Sequence, residues 1–377
     1  EESLITEYFP NYDETNINAI DKRILEINSN GTLLGYMFST WDMVKSLGYD
    51  RQPYEIMVGL NTNGTIAGAT LTYHNEPLFV HDISEKYLED FVKNSKGLDV
   101  SKGLPRVSKG APLRADTLHR GTISSNLMHE ALFKSARSAA ISANLFGVKD
   151  GNRLDFLKVE NLNWDQLLEK DYIITQRILL KEAKEKFNNL GLPDKIINLP
   201  RLKETSTSEK IFMDVAVGLN NPRSIGNNIL GEWRYDKIMS LYDAKDYAIV
   251  IAGTGYSFKG SDWRRTKNFE RIRVVQENNI ITFKEKDHTR LSKVNAQNAP
   301  KYKEISLFRI SADKNFNPIK PWYLEISYFN EENSSQKIII PYILSDKLII
   351  KPEKELAMWV NVWLESKFRI LLLSFAL

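Results

Sequence analysis

Hydrophobic and polar positions change their period several times along the chain, and each change predicts a different element. Residues 24–40, "ILEINSNGTLLGYMFST", set two strand-like runs on either side of Asn30-Gly31, and residues 55–73, "EIMVGLNTNGTIAGATLTY", repeat the arrangement around Asn63-Gly64. Asn-Gly supplies the positive φ angles of tight turns, so both stretches predict hairpins of an antiparallel sheet. Between them, "TWDMVKSLGYDRQP" predicts a short helix that stops at Gly48, with Pro53 barring re-entry. Residues 84–94, "SEKYLEDFVKN", put Tyr87, Leu88, Phe91 and Val92 on one helical face behind a Ser84 cap.

A loop rich in Gly, Ser, Lys and Pro follows over 95–115, and a second helix is predicted from Ser124 or Ser125 to about Asn144. Its face of Leu127, Ala131, Leu132, Ser135, Ala136, Ala139, Ala140 and Ala143 is mostly small, which permits close backbone approach. Residues 151–245 alternate acidic and basic side chains and read as largely helical, broken at Pro193 and Pro200. Beyond them, "YAIVIAGTGYSFKG", "RIRVVQENNIITFKEKDH", "ISLFRISAD", "PWYLEISYFN" and "QKIIIPYIL" are strand-like runs punctuated by turn residues. The expected class is α+β: a first domain of hairpins and packed helices over 1–150, a helical connection over 151–245, and a mostly β domain over 246–352.

The tail, residues 356–377, sets Trp359 and Trp363 before Lys367 and Arg369 and then runs uncharged and mostly apolar to Leu377. Interfacial Trp ahead of an apolar run is how a membrane helix commonly starts, so the stretch predicts the opening of a truncated transmembrane segment; an amphipathic helix packed on its own domain is the alternative. Glu1 opens the chain with no apolar signal core behind it, as expected of an exported protein after processing or of a boundary within a longer sequence.

Composition narrows the chemistry. At 377 residues and 42% hydrophobic content the chain is long enough for two domains. Its 51 Lys and Arg against 48 Asp and Glu leave a net charge of +3 without a like-charge block, so no nucleic-acid contact is expected. The absence of cysteine excludes disulfides, thiolate metal sites and a Cys nucleophile. The five histidines show no ligand pair at helical spacing, so no metal site is expected, and nothing resembles a nucleophile elbow. "GTGYSFKG" has Phe258 where a dinucleotide loop needs Gly, and reads as a strand-to-strand turn.

What remains is "RADTLHRGTISSNLMHEALFKSARSAA", residues 114–140, in which Asp116, His119, Arg120, Gly121 and Thr122 gather at the mouth of the second helix. A helix N-terminus carries unpaired N–H groups and a partial positive charge, so it attracts phosphate, and Gly121 lets a backbone approach closely. Thr122, Ser124 and Ser125 equally suit plain helix capping.

At these residues the sequence resembles the periplasmic flavin-bearing region of the NosR and NirI proteins, linked to nitrous oxide and nitrite respiration. That family carries Asp-x-x-Ser-Gly-Ala-Thr, whose final Thr is joined to FMN through a phosphoester. The matching run here is Asp116 to Thr122, with His119-Arg120-Gly121 in place of Ser-Gly-Ala. The likeness extends in family order through "LLGYMFSTWDM", "YHNEPL", "SARSAA", "SIGNNILGEWRYDKI", "GTGYSFKGSDW", "EKDHTRL" and "PWYLEI".

The resemblance implies an FMN-binding electron carrier or regulator on the periplasmic side of the bacterial inner membrane, rather than a stand-alone enzyme. It assigns the phosphoester to Thr122, room and donors for the phosphate to Gly121 and Ser124, recognition to Asp116, and a charged contact to Arg120 beside His119. His74 and Glu76, in the turn that matches the family's His-x-Glu-Pro, are further candidates for contact with the flavin ring. Implied partners are nitrous oxide reductase or a related respiratory protein, a flavin transferase, and the membrane through the C-terminal segment. Two other classes stay open: a flavin-free sensor or assembly factor working by contact, and a solute-binding envelope module related by fold alone.

Overall fold

A computed structural model describes residues 2–48, 51–75, 85–104, 122–146, 151–187, 211–329 and 335–351, without the side chains of 122–124, 184–187, 328–329 and 335–336. The first sheet is an antiparallel meander of β1 (Glu14–Ile17), β2 (Leu25–Ser29), β3 (Thr32–Ser39), β4 (Glu55–Asn61) and β5 (Ile66–Tyr73), paired in chain order. The β2–β3 turn holds Asn30 at φ 48° and Gly31 at φ 72°, with Ser29 opposite Thr32, as the dipeptide requires. The β4–β5 connection is longer: Gly64 at φ 83° follows Asn63, whose side chain accepts from the Thr65 N–H and hydroxyl, and a bulge adjusts the register at Gly59–Leu60.

Both faces of this sheet are covered. Helix α1 (Glu2–Tyr8) lays Ile5, with the following Phe9, on one face against Ile27, Met37 and Met57. The other face receives α2 (Thr40–Val44), α3 (Glu85–Lys93) and α4 (Thr122–Ser142) through Met43, Leu88, Val92, Met128, Leu132, Phe133, Ala136, Ala139 and Ala140. Helix α2 is shorter than its sequence predicts, because Lys45 turns left-handed at φ 50° and closes it three residues before Gly48. Helix α4 starts two residues ahead of the predicted serines, and its buried side includes Met128 and Phe133 while Leu127 is half-buried.

The second unit has one continuous core from Leu154 to Leu348. A five-stranded sheet takes the order β12 (His288–Arg290), β13 (Glu304–Ile310), β9 (Tyr247–Gly255), β8 (Ile211–Leu219), β7 (Ile174–Leu179), and a four-stranded sheet the order β11 (Asn279–Lys284), β10 (Asn268–Gln276), β14 (Trp322–Phe329), β15 (Ser335–Tyr342). A small pair joins β16 (Ile349–Ile350) to β6 (Arg153–Leu154). The described helices here are α5 (Trp164–Glu169), α6 (Leu180–Phe187), α7 (Arg223–Leu230), α8 (Glu232–Ser240) and the single turn α9 (Trp263–Thr266), which follows "GTGYSFKG" and leads directly into β10.

The helical reading of 151–245 is therefore corrected: β7 and β8 are strands, and β8 lies between β7 and β9. Buried on both faces, β8 presents the nearly unbroken apolar run "IFMDVAVGL", whose period does not separate strand from buried helix. Among the described residues no helix is long and apolar enough to cross a membrane, and the tail 356–377 lies outside them.

The units meet along α4. Arg137, 7% exposed, donates to the carbonyls of Met239, Ser240 and Tyr242 at the end of α8 and to Ser101 O at 3.2 Å. Helix C-termini leave carbonyls unpaired and partially negative, so the guanidinium supplies both donors and charge. Burial pulls Arg137 down to about 10, against the opposing charges of Asp243, Asp246 and Asp99. Beside it the backbones interlock through Leu104 N to Ser240 O (2.7 Å), Ala244 N to Ser101 O (2.7 Å) and Gly103 N to the Asp243 carboxylate (2.6 Å). A Cβ at Gly103 would fall 2.3 Å from Leu241 O, so this approach requires glycine.

Removal of the guanidinium deletes charge-assisted hydrogen bonds to four carbonyls and leaves a buried gap between the units. Arg137→Ala should lower stability by about 3 kcal/mol in urea denaturation, with Arg137→Lys recovering less than half, since one ammonium cannot fork across them. A second expectation concerns His288, whose ring centroid lies 5.4, 5.0 and 5.2 Å from those of Trp263, Phe269 and Phe308. Burial first, then the Lys259 charge, push its imidazole down to about 4. The unfolded chain takes this proton near pH 6.5 and the folded chain only near 4, so stability should fall as pH drops through that window, by at most about 1.4 kcal/mol per pH unit. Urea titrations of His288→Gln should show a shallower slope between those pH values.

Candidate functional site

The first turn of α4 is positioned by the sheet beneath it. Tyr54, 1% exposed and just ahead of β4, donates its hydroxyl to Leu127 O at 2.9 Å. Glu55 at the start of β4 faces Tyr73 at the end of β5, so this end of the sheet lies under the beginning of the helix. At the helix's other end, Phe146 closes over the Gly64 turn and the Ser142 hydroxyl donates to Asp21 at 3.1 Å. Helix α4 thus runs along the sheet from the Tyr54–Tyr73 end to the Gly64 end.

His74 follows β5 directly and lies at the Thr122 end of the sheet. It is mostly buried, and its Nε2 lies 3.5 Å from Glu85 Oε1 at the first residue of α3. The neighbouring Asn75 donates to Gln52 at 3.1 Å, tying the segments on either side of this edge. From α4, His129 meets Phe91 of α3 edge-on, with ring centroids 6.4 Å apart. Its Nε2 is buried without a hydrogen-bond partner among the described residues, and burial holds the imidazole below its ordinary value, with Glu130 opposing. A neutral ring nitrogen in this state keeps an unused donor or acceptor.

Of the residues singled out in the sequence, Thr122 is the first of α4, Ser124 lies within its first turn, and His74 stands at the same end of the sheet. Asp116, His119, Arg120, Gly121 and Glu76 lie outside the described residues. Sequence reading counted His129 among five histidines and gave it no part. Its spacing of seven from Thr122, two helical turns along one face, was the available signal. Among the described residues no group of three or more His, Asp or Glu is arranged to hold a metal ion.

Comparison with known proteins supplies the wider frame. The chain is 25% identical over 348 residues to Protein NirI of Paracoccus denitrificans, covering 90% of this chain and 48% of the relative. It is 24% identical over 399 residues to Regulatory protein NosR of Pseudomonas aeruginosa, covering 99% and 55%. Regulatory protein NosR of Stutzerimonas stutzeri is 24% identical over 373 residues, covering 93% and 51%. The chain belongs to the NosR/NirI family. No protein-family model matches it. This NosR/NirI member spans about half the length of the curated relatives it matches.

The anchoring of α4 in this family member can be measured at Tyr54. Tyr54→Phe keeps the ring packed and removes one hydrogen bond, so it should cost about 1 kcal/mol in chemical denaturation.

Proposed function

We propose that this chain is the FMN-bearing, extracytoplasmic portion of a NosR-like membrane protein on the periplasmic side of the bacterial inner membrane, where it carries electrons for, or regulates, nitrous oxide respiration. The observation that carries the reading is that Thr122, in the place of the family's flavin-bearing residue, opens a 21-residue helix whose far end is fixed to the fold. The unpaired amides of such a start favour a phosphate.

Two described histidines support this reading. The orphaned His129 Nε2 lies two turns, or about 10 Å, along α4 from Thr122 and offers a polar contact. His74 borders the same end of the sheet, and the small residues of α4 hold the helix close to its supports. In this reading Thr122 carries the phosphoester, Gly121 and Ser124 give the phosphate room and donors, Arg120 and His119 flank it with donors and charge, and Asp116 serves recognition by a flavin transferase. His74 and Glu76 border the flavin ring. The flavin, when bound, would supply the one- and two-electron chemistry. The partners in this reading are nitrous oxide reductase or a related respiratory protein, and the membrane through residues 356–377.

A second reading draws on the bulk of His119-Arg120 where the family has small residues: a flavin-free sensor or assembly factor acting by contact. One experiment separates them. On co-expression with a flavin transferase, the chain should be yellow after denaturation and heavier by one attached FMN in intact-mass spectrometry; Thr122→Ala should abolish both signals and Thr122→Ser should retain them. A colourless chain of unmodified mass would favour the contact role.

A further inference from the structure

The described residues line a solvent-open cavity of about 440 Å³ between the two units, at the opposite end of α4 from Thr122. Its walls come from Ile141 and Ser142 at the end of α4, from residues 152–157, and from residues 311–319. The volume falls within the range of small-molecule sites, which favour such junctions. Two properties define what it accepts. Aromatic rings of Phe156, Tyr247 and Phe316 form one part of the wall and the amides of Asn152, Asn315 and Asn317 another; Tyr247 and Phe316 meet edge-on with centroids 5.8 Å apart, an arrangement that holds both rings in place.

The second property is charge. Arg153 and Lys245 are the charged residues among those that line the cavity, and both are cationic. Among the described residues, neither forms an ion pair. Nearby carboxylates are engaged elsewhere: Asp246 with Arg309 at 2.7 Å, Asp155 with the Leu157 and Lys158 N–H groups, and Asp313, which is exposed, with the Ser311 hydroxyl. A partly aromatic wall with amide donors, two cations without an ion-pair partner among the described residues and no lining carboxylate favours an anionic aromatic guest.

We propose that this cavity binds a small molecule with a flat apolar body and a single anionic group. The site is separate from the helix mouth, since the 21 residues of α4 put about 30 Å between its ends. A guest here touches α4 and the second unit together, so its binding holds the two units in one arrangement and raises the melting temperature by mass action.

The test uses 8-anilinonaphthalene-1-sulfonate as an aromatic anion and N-phenyl-1-naphthylamine as its uncharged counterpart, titrated by fluorescence and calorimetry into the whole chain. One saturable sulfonate site is expected. The double variant Arg153→Gln/Lys245→Gln should weaken it about tenfold or more, as loss of charge-assisted contacts predicts, while leaving the uncharged dye within about twofold. Ala312→Trp, at the exposed rim, should exclude both dyes, and Thr122→Ala should bind both as the parent does. Absence of a saturable sulfonate site, or equal sulfonate affinity in the parent and the double variant, would overturn the proposal. Because the Gln substitutions change surface charge and not packing, unchanged circular dichroism will show that any loss of binding is local.

Discussion

A guanidinium withdrawn from water holds this molecule together. Arg137 lies on α4 beside the face that packs on the first sheet, and its donors end on carbonyls contributed by the end of α8 and by Ser101. Withdrawing a cation from solvent is unfavourable unless its donors are used, and here four backbone carbonyls accept them. Arg137, with the backbone bonds beside it, thus ties the end of α8 to α4 and fixes where the second unit stands against the first. The close approach at Gly103 and the placing of the cavity beside residues 244–247 both follow from that docking.

Local signals carried the first unit. Asn30-Gly31 and Asn63-Gly64 gave the two hairpins, because short-range backbone chemistry decides such turns. The middle of the chain resisted for the opposite reason. In β7 and α6 the consecutive runs "ITQRIL" and "LKEAKEKF" pass from strand to helix without a turn residue between them, and the charges of the helix colour the whole stretch. Strand β8 acquires its identity only by lying between β7 and β9, a pairing across long stretches of sequence.

The candidate site was legible to a similar degree. The start of α4 could be read to within two residues from the polar cluster ahead of it. Arg137 could not, since a charged residue beside alanines reads as solvent-facing and its acceptors are backbone carbonyls about a hundred residues away. His129 was hidden likewise: the lack of a partner for its Nε2 belongs to three-dimensional packing against Phe91, and sequence spacing records only that it shares a face with Thr122.

The length of α4 limits how its ends can influence each other. Some 30 Å is three to four Debye lengths at physiological ionic strength, so most of a charge change at one end is screened before it reaches the other. A stiff rod packed along its length transmits tilt or sliding without such attenuation. The interlocked backbones around Gly103 and Ala244, where α4 meets the second unit, are the fulcrum for such a movement.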